Sequence, residues 1–251
     1  MKQYKFLSWN IQGGKKLTEI TQLILNENPD FIALQEVRHY ADQVDGATLL
    51  KNELAKLRKI YFVEYFQTFV SDRHQPSYGI GNALLSRLPF KSIAKKWLSN
   101  LDEYLSNEKS ALYEPRGAIL ADVEIAGNKI VLVSTHLAYV EGFADHSFKQ
   151  EQTNQLLKAM GDNEYLLGID LNSLPDSSIF KTIQVKTTFI EHLLNQSTWT
   201  NQNPNGKYGK IGDQKRIDYI FTNLKDSSNT KFAILNASGS DHLPLLLTFN
   251  L

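Results

Sequence analysis

Short apolar runs, several of them closing on a polar residue, alternate with longer stretches whose apolar positions recur every three or four residues. The short runs predict strands at about 4–10, 31–36, 60–67, 80–86, 91–98, 117–125, 129–136, 165–169, 217–222, 230–236 and 244–249. Ala126-Gly127-Asn128-Lys129 has the chemistry of a tight turn, so 117–136 reads as a hairpin. The longer periodic stretches predict helices near 16–28, 46–58, 147–160 and 176–183. In the first, Leu17, Ile20, Ile24 and Leu25 share a face and Asn28-Pro29 stops the helix. In the third, Ser147 reads as the cap, with Phe148, Leu156, Leu157 and Met160 turned inward. Many strands with helices between hairpins fit an α/β architecture of two packed sheets flanked by helices.

No Pro/Gly/Ser-rich linker, charge block or internal repeat divides the 251 residues, so one domain over 1–251 is expected. With 42% hydrophobic residues the chain can bury a sizeable core. The absence of cysteine excludes disulfides, thiolate zinc sites and a cysteine nucleophile. Neither an apolar leader nor a membrane-length apolar stretch is visible, which points to a cytoplasmic protein without a membrane span. Basic and acidic residues balance at 27 each, whereas proteins that grip duplex DNA usually carry a basic surplus. One local exception, Gly206 to Arg216, has four cations against one anion. It reads equally well as a solvated loop and as a phosphate-recruiting rim.

The chemistry gathers at the strand tips. Asn10 closes the first run, Glu36 the second and His136 the seventh. Asp170 and Asn172 follow the eighth, Asp218 lies in Arg216-Ile217-Asp218-Tyr219, and Ser240-Asp241-His242 precedes the last. A carboxylate at the end of an apolar strand is penalised unless it is paired or binds a cation. Asn10 also has an ordinary reading, since Asn10-Ile11-Gln12-Gly13-Gly14 is good turn sequence. Asp170 and Asn172 lie two apart, so an extended chain turns both to one side. An acid beside an amide suits activation of water next to a phosphate. A carboxylate on one nitrogen of His242 would fix its tautomer and raise its pKa, leaving the other nitrogen for a phosphate oxygen. Hard oxygen ligands with two imidazoles and no thiol suit Mg²⁺- or Mn²⁺-assisted phosphoester cleavage. Tyr139, Phe143, Trp199 and Tyr208 read as cover for loop cores, and His39, His74, His146 and His192 as structural or surface residues.

Taken in order, Trp9-Asn10, Gln35-Glu36, Asn82…Ser86-Arg87, Ser134-Thr135-His136, Asp170-Leu171-Asn172, Arg216-Ile217-Asp218-Tyr219 and Ser240-Asp241-His242 resemble the endonuclease/exonuclease/phosphatase superfamily. The likeness runs from residue 5 to residue 249. It implies a DNase I-like fold, a four-layered α/β/β/α sandwich of two mixed sheets flanked by helices. It implies His136, Asp170, Asn172, Asp218 and His242 as catalytic, Glu36 with Asn10 and Asp241 at the metal, and Asn82 and Arg116 on phosphate or substrate. The sequence departs from the family's usual Gly-Asp-Phe-Asn, because Leu171 replaces the aromatic and Ile169 separates Gly168 from Asp170. That departure touches packing, not the reactive pair.

The expectation is a Mg²⁺- or Mn²⁺-dependent hydrolase of phosphoester bonds, a phosphodiesterase of nuclease type working as a monomer on a substrate that includes nucleic acid among its candidates. The alternatives are a phosphatase or phosphodiesterase of a small molecule or lipid headgroup and, more remotely, an inactive binding module on the same fold.

Overall fold

The computed structural model describes residues 2–40, 61–71, 78–99, 111–187, 193–202, 209–225 and 229–251. The helix expected at 46–58, together with His74, His192, Lys207 and Tyr208, lies outside them. Among the described residues, each of the other expected elements is present. The strands are β1 (Gln3–Asn10), β2 (Phe31–Tyr40), β3 (Phe62–Ser71), β4 (Tyr78–Ser86), β5 (Ser92–Trp97), β6 (Gly117–Ile125), β7 (Asn128–His136) and β8 (Tyr165–Asp170). They continue with β9 (Trp199–Thr200), β10 (Gln214–Lys215), β11 (Asp218–Thr222), β12 (Lys231–Ile234) and β13 (Leu245–Asn250). The helices are α1 (Leu17–Glu27), α2 (Ser147–Met160) and α3 (Ser178–Gln184). No helix among them is long and apolar enough to cross a membrane.

Two mixed sheets result. One has the order β12-β13-β1-β2-β4-β3, the other β11-β8-β7-β6-β5, and β9-β10 forms a small ribbon. Each large sheet contains one parallel pair, β1–β2 in the first and β7–β8 in the second, with antiparallel neighbours outside. Between the sheets Phe6, Phe31, Ala33 and Leu247 meet Ile119, Ala121, Leu132 and Leu166, all fully buried. On the outer face of the first sheet, Ile20 and Ile24 of α1 pack with Leu7, Ile32 and Leu246. On the outer face of the second, Leu156, Met160, Ile179, Phe180 and Ile183 of α2 and α3 cover Val133, Leu167 and Tyr219. The layers therefore run α/β/β/α. Burying a large apolar side chain on each face stabilises the fold by roughly 1.5–3 kcal/mol per residue.

Two local expectations change. Ser147 does not cap α2; His146 does, its Nδ1 accepting from the Phe148 amide at 3.1 Å. The inward face of α2 also differs from a purely apolar stripe, for Lys149, Gln152 and Thr153 are buried beside Leu156 and Met160. Those polar positions point toward the end of the sandwich where the strand tips collect.

Candidate active site

The C-terminal ends of β1, β2, β7 and β8 all emerge at one end of the sandwich, because both parallel pairs run the same way into it. In such sheets the carboxyl ends of strands are the usual place for ligands. Asn10 pairs with Gln35 across the first sheet, and His136 with Asp170 and Asp170 with Asp218 across the second. The two sheets are clamped directly beneath. Gln35 donates to the Gly168 carbonyl at 3.2 Å, and Ser134 Oγ donates to the Leu34 carbonyl at 2.9 Å. Gly168 admits this approach, since a Cβ there would meet Ser8 Oγ at 2.6 Å and Ala33 Cβ at 2.7 Å.

Glu36 is not at a strand end, as the sequence suggested. β2 continues to Tyr40, and Glu36 sits in a bulge where the register shifts between Leu34 and Val37. Its φ of 52° is left-handed, a conformation that costs a non-glycine residue about 1–2 kcal/mol. The bulge turns the carboxylate into the cleft. Asn10 holds it there, donating through Nδ2 to Glu36 Oε1 at 3.0 Å and to Asp170 Oδ2 at 2.9 Å. The oxygen of Asn10 accepts from the Gln12 amide at 3.1 Å, so this residue bridges two acids with its N–H₂ side.

Asp170 is 1% exposed. Burial and the neighbouring Asp218 push its carboxyl up to about 7, against the pull of His242 and Asn10. Asn172, also left-handed at φ 50°, donates its amide N–H to Asp170 Oδ1 at 3.0 Å. Its side chain donates to the Leu137 carbonyl at 3.1 Å, which fixes the N–H₂ side of the amide. That same Nδ2 lies 2.8 Å from His136 Nε2, so Nε2 of His136 accepts. Burial, Arg116 and His242 hold the His136 imidazole well below the ordinary histidine range, which agrees with a neutral ring. The Leu171 that replaces the family's aromatic is fully buried in the outer core, so the loop keeps its packing.

His242 behaves oppositely. Burial alone would lower its pKa, but Asp218, whose two oxygens lie 3.0 and 2.9 Å from Nδ1, raises it to about 10. The ring is an imidazolium at neutral pH. Its Nε2 stands 3.9 Å from Asp170 Oδ2 and 3.9 Å from Asp241 Oδ1. Thr198 fixes Asp218 by donating to Oδ2 at 2.7 Å, and the Trp9 indole donates to the His242 carbonyl at 2.9 Å.

Among the described residues, two groups bring ligand-type atoms within 4.8 Å of one another, Glu36–His136–Asp170 and Asp170–Asp218–His242, and in the second the charged His242 is already held by Asp218. They share Asp170. The first fits a hard divalent ion by its two carboxylates, Glu36 and Asp170, with no thiolate present; His136 Nε2 lies 3.3 Å from Asp170 Oδ2, its lone pair taken by the Asn172 N–H. Asp241, expected at the metal, belongs to neither group; its Oδ2 accepts from the Trp199 indole at 3.3 Å. Asn82 donates to the Gly117 carbonyl at 2.8 Å and so braces the start of β6. Arg116 lies beside His136, with Nη2 on Glu114 Oε2 at 3.1 Å and Nε buried without a partner.

Sequence reasoning missed several supporting residues. Lys149, fully buried, donates to the Asn172 carbonyl at 2.7 Å, Ser173 Oγ at 2.9 Å and the Ala144 carbonyl at 3.1 Å. Its position among inward-facing α2 residues is a signal that a polar stripe at helical spacing would have carried. Thr198 and the β9–β10 ribbon left no such trace. Arg216, read as part of either a solvated loop or a phosphate-recruiting rim, is instead buried over the rings of Tyr219 and Phe232 at 5.2 and 5.6 Å. Phe143, Trp199 and Ile217 form a small loop core with Tyr139, as expected.

The sequence profile of the Endonuclease/Exonuclease/phosphatase family matches residues 7–242. The chain belongs to that family. A search of the curated proteins returned no match. Among solved structures, an endonuclease/exonuclease/phosphatase family protein from Leptotrichia buccalis superposes with a TM-score of 0.77 at 17% identity, covering 99% of this chain and 100% of that one. The human Nocturnin catalytic domain, solved with a bound sulfate anion, gives 0.68 at 20% identity, covering 99% and 94%. A humanized Danio rerio TDP2 gives 0.61 at 18% identity, covering 99% of each chain. These likenesses carry the DNase I-like fold. Family membership supports an enzyme of phosphoesterase type, nuclease or phosphodiesterase in character.

Proposed function

We propose that this chain is a Mg²⁺- or Mn²⁺-dependent phosphodiesterase of nuclease type that cleaves by direct attack of water on phosphorus. The observation that carries the reading is the group of acids in the cleft, Glu36 beside the buried Asp170, with the charged His242 on the other side of Asp170. The site draws on residues 10 to 242, which supports one domain over 1–251, complete in one copy and so able to act as a monomer.

Glu36 would hold the ion, and Asn10, donating to Glu36 Oε1 and Asp170 Oδ2, would orient the two acids. When bound, the cation supplies charge neutralisation of the phosphate and stabilisation of the leaving oxygen. The protein's own groups do the rest. Asp170, raised to about 7, accepts the proton of the attacking water, with Asn172 holding Oδ1 so that Oδ2 faces the cleft. The His242 imidazolium, kept charged by Asp218, holds the negative charge that develops on the phosphate oxygens. Arg116 approaches the phosphate from the His136 side, and Asn82 supports it through the Gly117 peptide.

The test is hydrolysis by chelator-stripped protein with Mg²⁺, Mn²⁺ or no metal, on DNA, RNA, abasic DNA, sphingomyelin and inositol phosphates. Turnover of a diester that appears only with added metal is expected. Full turnover in excess EDTA, with metal content checked, would sink the metal-dependent reading.

A further inference from the structure

Resting on the nuclease-type reading, we propose that Trp97 is a stacking platform for a nucleobase, which makes it a specificity residue and the substrate a nucleotide-bearing diester rather than a sugar or lipid phosphate. The register carries this. Trp97 pairs with Gly117, and Ala118 pairs with Thr135, so Gly117 stands opposite His136 at the next position. His136 pairs with Asp170, and Asp170 with Asp218. Trp97, Gly117, His136, Asp170 and Asp218 thus form one row across five strands. Directly opposed residues in a ladder turn to the same face, and that face is the one carrying the catalytic groups. Strands are spaced about 4.8 Å apart, so the backbone of Trp97 lies about 10 Å from that of His136. This is about the span from a phosphate to the far edge of its base.

The local build suits a platform. Trp97 ends β5 at the site end of the sandwich, where the Leu98 amide donates to the Arg116 carbonyl at 2.8 Å. Phe66 of the facing sheet meets the indole edge-on, with centroids 4.8 Å apart and planes at 66°. Phe66 also fills the space above Gly117, where a Cβ would come within 2.5 Å of its ring. The gap between the sheets is therefore closed by Phe66 and by the Lys95–Glu64 ion pair at 3.2 Å. Trp97 is not needed for closure and stays 51% exposed. An indole braced at one edge, open on its surface and collinear with the phosphate-handling residues has the chemistry of base stacking. A sugar ring or a quaternary-ammonium headgroup can also cover an indole face, and a comparison of base-bearing and abasic strands separates a base from these.

Matched short single strands, one carrying all its bases and one with an abasic nucleotide beside the scissile bond, provide the test. They are used for hydrolysis with Mg²⁺ and, as labelled strands, for anisotropy titrations without divalent metal. Wild type should favour the base-bearing strand. Trp97→Ala should reduce that preference in kcat/KM by about five- to 150-fold, mainly through KM, and reduce the binding preference alike. Trp97→Phe should keep most of it. Equal losses on both strands, or an unchanged preference, would overturn the proposal, as would preferential turnover of a diester without any base. A base-dependent binding preference that Trp97→Ala abolishes, in a protein hydrolysing neither strand, would support the platform while telling against the metal-dependent chemistry.

Discussion

Replacing Lys149 with methionine separates the support of the catalytic loop from its chemistry. The ammonium is fully buried beneath Asn172, and burial lowers its pKa from 10.5 to about 8, against the attraction of Asp145 and Asp170. At 1.36 kcal/mol per unit, the buried charge costs about 3 kcal/mol at pH 7. Two of its acceptors, the Asn172 carbonyl and Ser173 Oγ, are buried and would otherwise lack a partner, which returns about 1–3 kcal/mol each; the Ala144 carbonyl is exposed and adds little. Wild type should therefore be the more stable at pH 7, by roughly 1 kcal/mol. The pH dependence is sharper. Between about 8 and 10.5 the unfolded chain holds the lysine proton and the native state does not, so stability from this group rises with pH. From pH 7 to pH 9.5 wild type should gain about 2 kcal/mol relative to Lys149→Met, other groups cancelling between the two proteins. Urea denaturation at both pH values measures this. At pH 7 the variant should also lose roughly 10²-fold in kcat with metal added, since Asn172 is no longer held against His136 and Asp170. A stability gap that is flat between the two pH values would refute the buried-charge reasoning. Unchanged kcat would show that Lys149 supports the fold and not the site.

Asp170→Asn should lower kcat by ~10²–10⁴ and His242→Ala by ~10²–10³, both with little change in KM, in steady-state assays on the best diester. Either variant retaining wild-type kcat would remove that residue from the mechanism. Glu36→Gln should raise the Mg²⁺ concentration for half-maximal rate at least tenfold, read from a metal titration, because it removes a carboxylate from the Glu36–His136–Asp170 group. Gly168→Ala should lower stability by about 1–3 kcal/mol in thermal unfolding, since the added Cβ would press on Ser8 and Ala33 of the facing sheet. A melting temperature equal to wild type would mean that the sheets separate there at no cost.

The strands and helices with a clear period were legible because period and burial coincide in them. Ile20 and Ile24 of α1 are buried as their spacing demands, and each expected strand within the described residues is present. What escaped was short or cooperative. β9 and β10 are two residues each and form only because Trp199–Thr200 meets Gln214–Lys215 across a loop. Glu36 was seen as a strand-end acid, yet β2 runs on to Tyr40 and the carboxylate is aimed by a bulge, which has no periodic signature. Ser147 has the higher capping propensity, but the extended His146 presents its ring nitrogen to the Phe148 amide. Arg216 looked like a solvated cation because its neighbours in sequence are polar, whereas its neighbours in space are two aromatic rings.

The residues that gather in the cleft were readable one by one, but the difference between their surroundings was not. Nothing local in Ser134-Thr135-His136 or Ser240-Asp241-His242 says that one imidazole is neutral and the other charged. That difference comes from across the sandwich. His136 meets a fixed N–H donor from Asn172 and the positive charge of Arg116, while His242 meets both oxygens of Asp218. Asn172 and Asp218 flank Asp170, one through the loop after β8 and one through the β11 ladder. The same register that sets the two imidazoles apart therefore surrounds the shared acid with an accepting ring on one side and a donating ring on the other. In the proposed mechanism, a carboxylate so flanked, with Asn10 donating to Oδ2, would take the proton from water and leave the phosphate charge to His242.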